Sequence, residues 1–254
     1  MKLHNLTIGY ATYVVQRDLS LEIPSGKMIC MLGTNGCGKS TLLRTLAGLL
    51  NPLGGFCVMP DGRQLTELTD REKARQVAIV LTERLAADNT TVQDVVAMGR
   101  YPYSGWLGNL NDNDLRIIDE ALRQTEMGHK KQAFFRELSD GEKQRVLISK
   151  ALAQQTPYIF LDEPTAHLDL PNRIKTLLLL RELAHKSGKA VVISTHELDL
   201  ALQTADIIWL MTPQHGVAVG KPEELVENGE FQRAFEDEHF AFVPIEGALR
   251  IQIK

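Results

Sequence analysis

Short uninterrupted apolar runs recur along the chain and predict strands that are buried on both faces of a sheet. These runs occupy residues 28–32, 158–161, 191–194, 207–211 and 217–219. Residues 2–8 and 19–23 instead alternate apolar and polar side chains, which predicts half-buried strands. The N-terminal part of the chain is therefore expected to be rich in β-structure.

Helical spacing of apolar residues begins after the first of these runs. Residues 40–50 predict one helix, and a longer stretch from about 82 to 155 predicts several more. Within that stretch, Ser139 and Glu142 form the S-x-x-E pattern of a capping box, which opens a helix that reaches about Ala153. Strands interleaved with helices in this way predict an α/β fold.

The first apolar run leads into a glycine-rich sequence at residues 33–40 that matches G-x-x-x-x-G-K-[S/T], the phosphate-binding P-loop. Its backbone N–H groups and the following helix start are expected to cradle phosphates, with Lys39 on the β- and γ-phosphates and Ser40 on Mg²⁺. The alternative is a glycine-rich turn that only precedes a helix. The predicted nucleotide contacts of this segment are Gly33, Thr34, Asn35, Gly36, Cys37, Gly38, Lys39, Ser40 and Thr41.

Charged and aromatic side chains at three other places fit a nucleotide site. Asp162 and Glu163 end an apolar strand, and we expect the first to order Mg²⁺ and the second to accept a proton from attacking water. His196 follows the strand at 191–194 and is either a γ-phosphate contact or an ordinary structural histidine. Tyr10 either stacks on an adenine ring or packs in a turn.

The loop at residues 100–108 interrupts the helical stretch with Pro, Gly and aromatic residues. Tyr103 and Trp106 could form a docking surface, because such side chains give rigid contact area at low entropic cost. The alternative interpretation is an ordinary packed loop.

Composition narrows the class of protein. The 28 Lys and Arg against 32 Asp and Glu give a net charge of −4, with no basic stripe, so we expect no nucleic acid as partner. Residues 213–254 carry the acidic excess, most simply as a solvated surface. Three cysteines without metal-ligand spacing, no long apolar span and an N-terminus without a signal-peptide core lead us to expect a cytosolic protein.

The ordered set of motifs resembles the ATP-binding cassette (ABC) ATPases over residues 2–230, nearly the whole chain. In chain order the matching positions are Tyr10 for the adenine-stacking A-loop, 33–40 for Walker A, 138–142 for the signature, Asp162 and Glu163 for Walker B and the catalytic glutamate, 166–169 for the D-loop and His196 for the switch histidine. The resemblance implies a P-loop ATPase of ABC type in residues 1–230. Such a domain has an antiparallel N-terminal β lobe and an inserted helical lobe at about 82–155, here followed by an appendage at 231–254.

The same resemblance implies how such a chain works. Two copies would pair head to tail, so that Ser139, Gly141 and Glu142 of one copy meet the ATP of the other. The pair would bind transmembrane permease subunits at the cytoplasmic side of the cell membrane and would serve a substrate-binding protein indirectly. The stretches 35–43, 91–94, 99–102, 153–157 and 195–201 are similar to those of ATPases that energise uptake of ferric siderophores, haem and cobalamin.

Two positions depart from the family pattern. Either Thr82 or Glu83 stands where the family has the Q-loop glutamine. Asp140 replaces the first glycine of the signature, where a carboxylate is expected to repel the partner's γ-phosphate unless it turns to solvent or to Lys143.

Three other functions remain open from the residues. A soluble ABC ATPase acting on DNA or ribosomes usually has two cassettes or a long coiled-coil insert, and neither occurs here. A small-molecule P-loop kinase is disfavoured by the signature and by the Asp162–Glu163 pair. An ABC subunit for another cargo is the third.

Overall fold

A central sheet carries most of the apolar runs. The computed structural model describes residues 1–82, 89–104, 109–212, 216–235, 240–245 and 248–253. In this part of the chain the sheet has six strands, in the spatial order β5 (Val77–Val80), β6 (Tyr158–Asp162), β7 (Ala190–Ser194), β3 (Met28–Gly33), β8 (Ile207–Thr212) and β9 (Gly216–Gly220). The first five strands are parallel and β9 is antiparallel to β8, so β3, β6 and β7 end at one edge.

An antiparallel sheet forms the N-terminal lobe, as predicted. Its central strand is β1 (Lys2–Tyr10), flanked by β2 (Tyr13–Leu19) and β4 (Gly54–Val58). The predicted second strand at 19–23 is wrong in its bounds. Beyond Leu19 the chain follows β1 only through single contacts such as Leu3 N–H to Leu21 O (2.8 Å), because local alternation does not fix where strand pairing stops. A separate hairpin joins β10 (Phe240–Ile245) to β11 (Ala248–Ile253).

Helices cover both faces of the central sheet. Their bounds in the described residues are α1 (Lys39–Leu46), α2 (Asp70–Gln76), α3 (Val92–Ala97), α4 (Asp112–Gln124), α5 (Asp140–Ala153), α6 (Leu170–Ser187), α7 (Leu198–Thr204), α8 (Pro222–Glu227) and α9 (Glu230–Ala234). The capping box that opens α5 is confirmed, since Ser139 Oγ accepts from Glu142 N–H (3.3 Å) and Glu142 Oε2 accepts from Ser139 N–H (3.0 Å). None of the helices in these residues is long and apolar enough to cross a membrane.

Strand β3 is apolar on both faces because it separates two cores. Met28, Cys30 and Leu32 belong to the core that contains α3–α6, whereas Ile29 and Met31 belong to the core of α1 and the antiparallel sheet. Alternate side chains of a strand point to opposite faces, so every position of this strand is buried. The strand therefore forms a rigid base for the loop that follows it.

The helical stretch has a buried polar centre. Arg100 Nε donates to Asp114 Oδ1 (2.9 Å), and both side chains are about 95% buried. A second Arg100 nitrogen donates to Ala153 O (2.7 Å), which ties the end of α5 to the loop after α3. The predicted bounds of the ATPase domain (1–230), its helical lobe (82–155) and the C-terminal appendage (231–254) stay predictions. Phe231, at the start of the predicted appendage, is fully buried in the main core.

In the loop at 100–108, Tyr101 is 62% exposed whereas Tyr103 is packed against the protein. The Tyr103 ring lies 4.1 Å from the Arg100 guanidinium, and its hydroxyl donates to Gln154 O (3.0 Å). These contacts favour the packed-loop interpretation for Tyr103. Trp106, the other aromatic residue of the predicted docking surface, lies outside the described residues.

Candidate nucleotide site

The predicted P-loop connects β3 to α1 through a backbone that needs glycine. Gly33, Gly36 and Gly38 have φ values of 151°, 79° and 106°, which L-residues rarely adopt. A Cβ atom on Gly33 would also lie 2.2 Å from Met211 O. The loop therefore follows a path that the sequence makes possible only through its glycines.

Lys39 is held inside this loop. Its side chain is almost completely buried, and its ammonium group donates to Gly33 O (2.8 Å) and Thr34 O (3.3 Å). The charge thus sits at the carboxyl end of β3, in the loop predicted to bind phosphate. Beside it, burial raises the pKa of the Cys37 thiol, and the nearby Lys39 ammonium offsets only part of that rise. Cys37 is accordingly a neutral packing residue of the loop.

The two predicted Mg²⁺ ligands are in direct contact. Ser40 Oγ donates to Asp162 Oδ1 (3.0 Å), although the two residues are 122 positions apart in the chain. Ser194 Oγ donates to the same carboxylate oxygen (2.6 Å) and accepts from Glu163 N–H (2.9 Å). Ser194, at the end of β7, therefore fixes both acidic residues and is a site residue that the sequence analysis missed.

Glu163 and His196 also meet. Glu163 Oε1 lies 2.5 Å from His196 Nε2, across the ends of β6 and β7. The Glu163 backbone has φ of 49°, a left-handed conformation that costs energy in a residue with a side chain and that often occurs at functional sites. This turn places the carboxylate beyond the end of the strand instead of inside the sheet.

Thr82 lies beside the same strand end. Its hydroxyl donates to Asp162 O (3.1 Å), so the ungapped match to the Q-loop position falls next to the acidic pair. Glu83, the other candidate for this position, lies outside the described residues.

Tyr10 and the signature residues lie on two other elements. Tyr10 ends β1, opposite Tyr13 of β2, with its side chain about half exposed. Ser139 and Glu142 bond to each other, and Glu142 also accepts from Lys130 Nζ (2.5 Å). A Cβ atom on Gly141 would lie 3.2 Å from the Asn172 side chain, which places the start of α5 against the start of α6.

Together these contacts are typical of one class of protein, the P-loop nucleoside triphosphatases: a glycine-rich loop around a buried lysine, a hydroxyl–carboxylate pair and a glutamate at the end of a buried strand. Comparison with known proteins narrows the class. The family model for the ABC transporter matches residues 16–166, and this chain belongs to that family. It is an ABC ATPase, which binds ATP and ADP and whose relatives hydrolyse ATP to power transport.

Curated relatives match most of the chain. The petrobactin import ATP-binding protein of Bacillus anthracis is 39% identical over 222 residues, which are 87% of this chain and 81% of that protein. The achromobactin transport ATP-binding protein of Dickeya dadantii is 37% identical over 230 residues, 91% of this chain and 85% of that protein. A solved ATP-binding cassette, dimeric and bound to ADP and phosphate after hydrolysis, superimposes with a TM-score of 0.73 at 27% identity, covering 87% of this chain and 97% of that one.

Proposed function

We propose that this chain is the ATP-hydrolysing subunit of a membrane importer for ferric siderophores, haem or cobalamin, and that hydrolysis takes place at residues 33–40, 162–163 and 196. The observation that carries the proposal is that Ser40 and Ser194 both donate to Asp162 Oδ1, next to the Glu163–His196 pair. Polar residues from the start of α1 and from the ends of β6 and β7 converge there.

Each side chain has a role that its geometry supports. Loop N–H groups and Lys39 would bind the β- and γ-phosphates, and Glu163 would accept the proton of the attacking water. His196, hydrogen-bonded to Glu163, would orient that carboxylate and contact the γ-phosphate. Tyr10 would stack on adenine.

Ser40 and Asp162 would hold Mg²⁺. Hydroxyl and carboxylate oxygens are the hard ligands that this ion prefers, and few protein ligands are needed because phosphates and waters complete its shell. When bound, the ion neutralises charge on the phosphate oxygens.

A head-to-tail homodimer on permease subunits is the assembly we propose. Support comes from the dimeric state of the solved cassette. In such a dimer Ser139, Gly141 and Glu142 would face the partner's ATP. The pair would lie at the cytoplasmic side of the membrane and would receive cargo from a substrate-binding protein through the permease.

The cargo class rests on relatives and needs a test in cells. Deletion of the gene should reduce uptake of one of the three cargo types, and the wild-type chain should restore it whereas the Glu163→Gln variant at equal abundance should not. Normal uptake of ferric siderophores, haem and cobalamin after deletion would contradict the cargo proposal and leave the ATPase activity untouched.

Asp140 provides a prediction about the dimer. Its carboxylate lies 3.9 Å from Lys143 Nζ and is 60% exposed, so it turns to the cation as the sequence analysis allowed. In a Glu163→Gln background, Lys143→Ala should weaken ATP-dependent dimerisation a few-fold, because exposed pairs contribute ~0.2–1 kcal/mol. Adding Asp140→Gly should restore it. Size-exclusion chromatography with ATP measures this, and a Lys143→Ala dimer as strong as the parent would contradict the compensation.

A further inference from the structure

A buried glutamine in the N-terminal lobe is bonded to the P-loop. Gln16 lies in β2 with only 5% of its surface exposed. Its Nε2 group donates to Cys37 O (3.0 Å) and to Thr212 O (2.9 Å), so both amide hydrogens are used on backbone carbonyls. These partners are 21 and 196 positions away in the chain, and nothing in the proposed mechanism uses this contact.

The first of the two bonds fixes the direction of a neighbouring N–H group. Cys37 C=O and Gly38 N–H belong to one peptide, which is planar and trans, so they point in opposite directions. Because Gln16 holds the carbonyl toward β2, the Gly38 N–H points away from β2. A Cβ atom on Gly38 would lie 2.5 Å from Val15 Cγ1, which confirms that β2 packs directly on this side of the loop.

Local preference does not set this orientation. Gly38 has φ of 106°, one of several regions open to glycine, so the residue type alone does not select it. Backbone bonds from Cys37 N–H to Thr34 O and from Leu42 N–H to Gly38 O flank this peptide, but neither uses the Cys37 carbonyl. Lys39 holds the loop through Gly33 O and Thr34 O, but it does not bond to the Cys37 carbonyl.

The second bond of Gln16 gives the contact a rigid base. Thr212 ends β8, and the preceding residue, Met211, is the sheet partner of Gly33 at the start of the P-loop. Gln16 therefore links the far end of the P-loop to the strand that already pairs with its near end.

We propose that Gln16 is a positioning residue for phosphate binding, which keeps the Gly38 N–H turned toward the phosphates without touching the nucleotide. The inference rests on the proposed phosphate site at residues 33–40. It predicts that Gln16 contributes to affinity for the triphosphate group and not to affinity for the base.

The test replaces Gln16 by methionine, which has the same length and no donor. Gln154→Met is the matched control, because Gln154 Nε2 likewise bridges two backbone carbonyls, Ala74 O (2.5 Å) and Val77 O (2.9 Å), away from the P-loop. Calorimetric titration with ATP and with inorganic triphosphate should show Kd rising about tenfold for both ligands in Gln16→Met, the loss of roughly one hydrogen bond to a charged group. Gln154→Met should lower the melting temperature about as much as Gln16→Met does, but it should leave the Kd of both ligands unchanged.

Other variants separate the possible failures. Tyr10→Ala should weaken ATP but not inorganic triphosphate, which distinguishes the base from the phosphates. If Gln16→Met does not fold, Gln16→Asn replaces it; its shorter amide reaches at most one carbonyl, and it should give a smaller loss for both ligands. An unchanged Kd in a folded Gln16 variant, or an equal loss in Gln154→Met, would overturn the positioning role. If Lys39→Ala also leaves triphosphate binding unchanged, the phosphate site itself is wrong.

Discussion

Replacing Glu163 by glutamine is expected to lower the rate of ATP hydrolysis by roughly 10²–10⁴-fold, the usual contribution of a positioned general base, while ATP stays bound. Glutamine has the same shape and can still accept a hydrogen bond from His196, which lies 2.5 Å from the carboxylate. It cannot take a proton from water. Binding should be unaffected or slightly tighter, because a negative charge near the γ-phosphate is removed.

Glu197→Gln is the matched control for this change. Glu197 lies in the same region, but its carboxylate accepts from Arg173 (2.6 Å) and has no contact with His196 among the described bonds. Turnover in this variant should stay close to that of the wild type. Equal losses in the two variants would show that the effect of Glu163→Gln is not specific to the proposed base.

Lys39→Ala should weaken ATP binding itself, by about 10- to 100-fold. A hydrogen bond to a charged group contributes ~1.5–3 kcal/mol, and each 1.4 kcal/mol is a tenfold change in Kd. Calorimetric titration with ATP measures the change, and circular dichroism checks that the loop substitution leaves the fold intact.

Lys189→Ala provides the comparison for that variant. Lys189 also donates to a backbone carbonyl, Thr156 O (2.5 Å), but it precedes β7 and so lies at the opposite end of the sheet from the P-loop. Its removal should leave ATP affinity unchanged. An unaltered Kd for Lys39→Ala would contradict the proposed phosphate site.

Much of the fold could be predicted because its signals are local. Strands β3, β6, β7 and β8 are uninterrupted apolar runs, and burial on both faces of a parallel sheet produces that pattern. The closeness of Ser40 and Asp162 was predicted from two motifs: the P-loop that follows β3, and the acidic pair at the end of β6.

Helix α6 was missed although its ends carry clear signals. Asp169 caps its start by accepting from Asn172 N–H (3.0 Å), and Gly188 ends it with φ of 66°. Its leucines run all round the helix, with Leu170 and Leu178 exposed, so no single apolar face showed in the sequence. Caps were informative here where periodicity was not.

Two polar residues of the site could not be found from the sequence. Ser194 was predicted as the end of a strand, but its bonds to Asp162 and Glu163 depend on the pairing of β6 with β7. Gln16 lies in a strand whose bounds were predicted wrongly, and its partners are brought near only by the packing of two sheets. Such contacts between distant parts of the chain leave no local pattern.

Residues 33–40, Asp162 and Glu163 of this chain are proposed to hydrolyse ATP. The most direct measurement is release of inorganic phosphate from ATP and Mg²⁺ by the purified protein, without any phosphoryl acceptor, beside the Glu163→Gln variant. The proposed site predicts steady phosphate release by the wild type and almost none by the variant, which should still bind ATP. Phosphate release at the same rate by both proteins would contradict it.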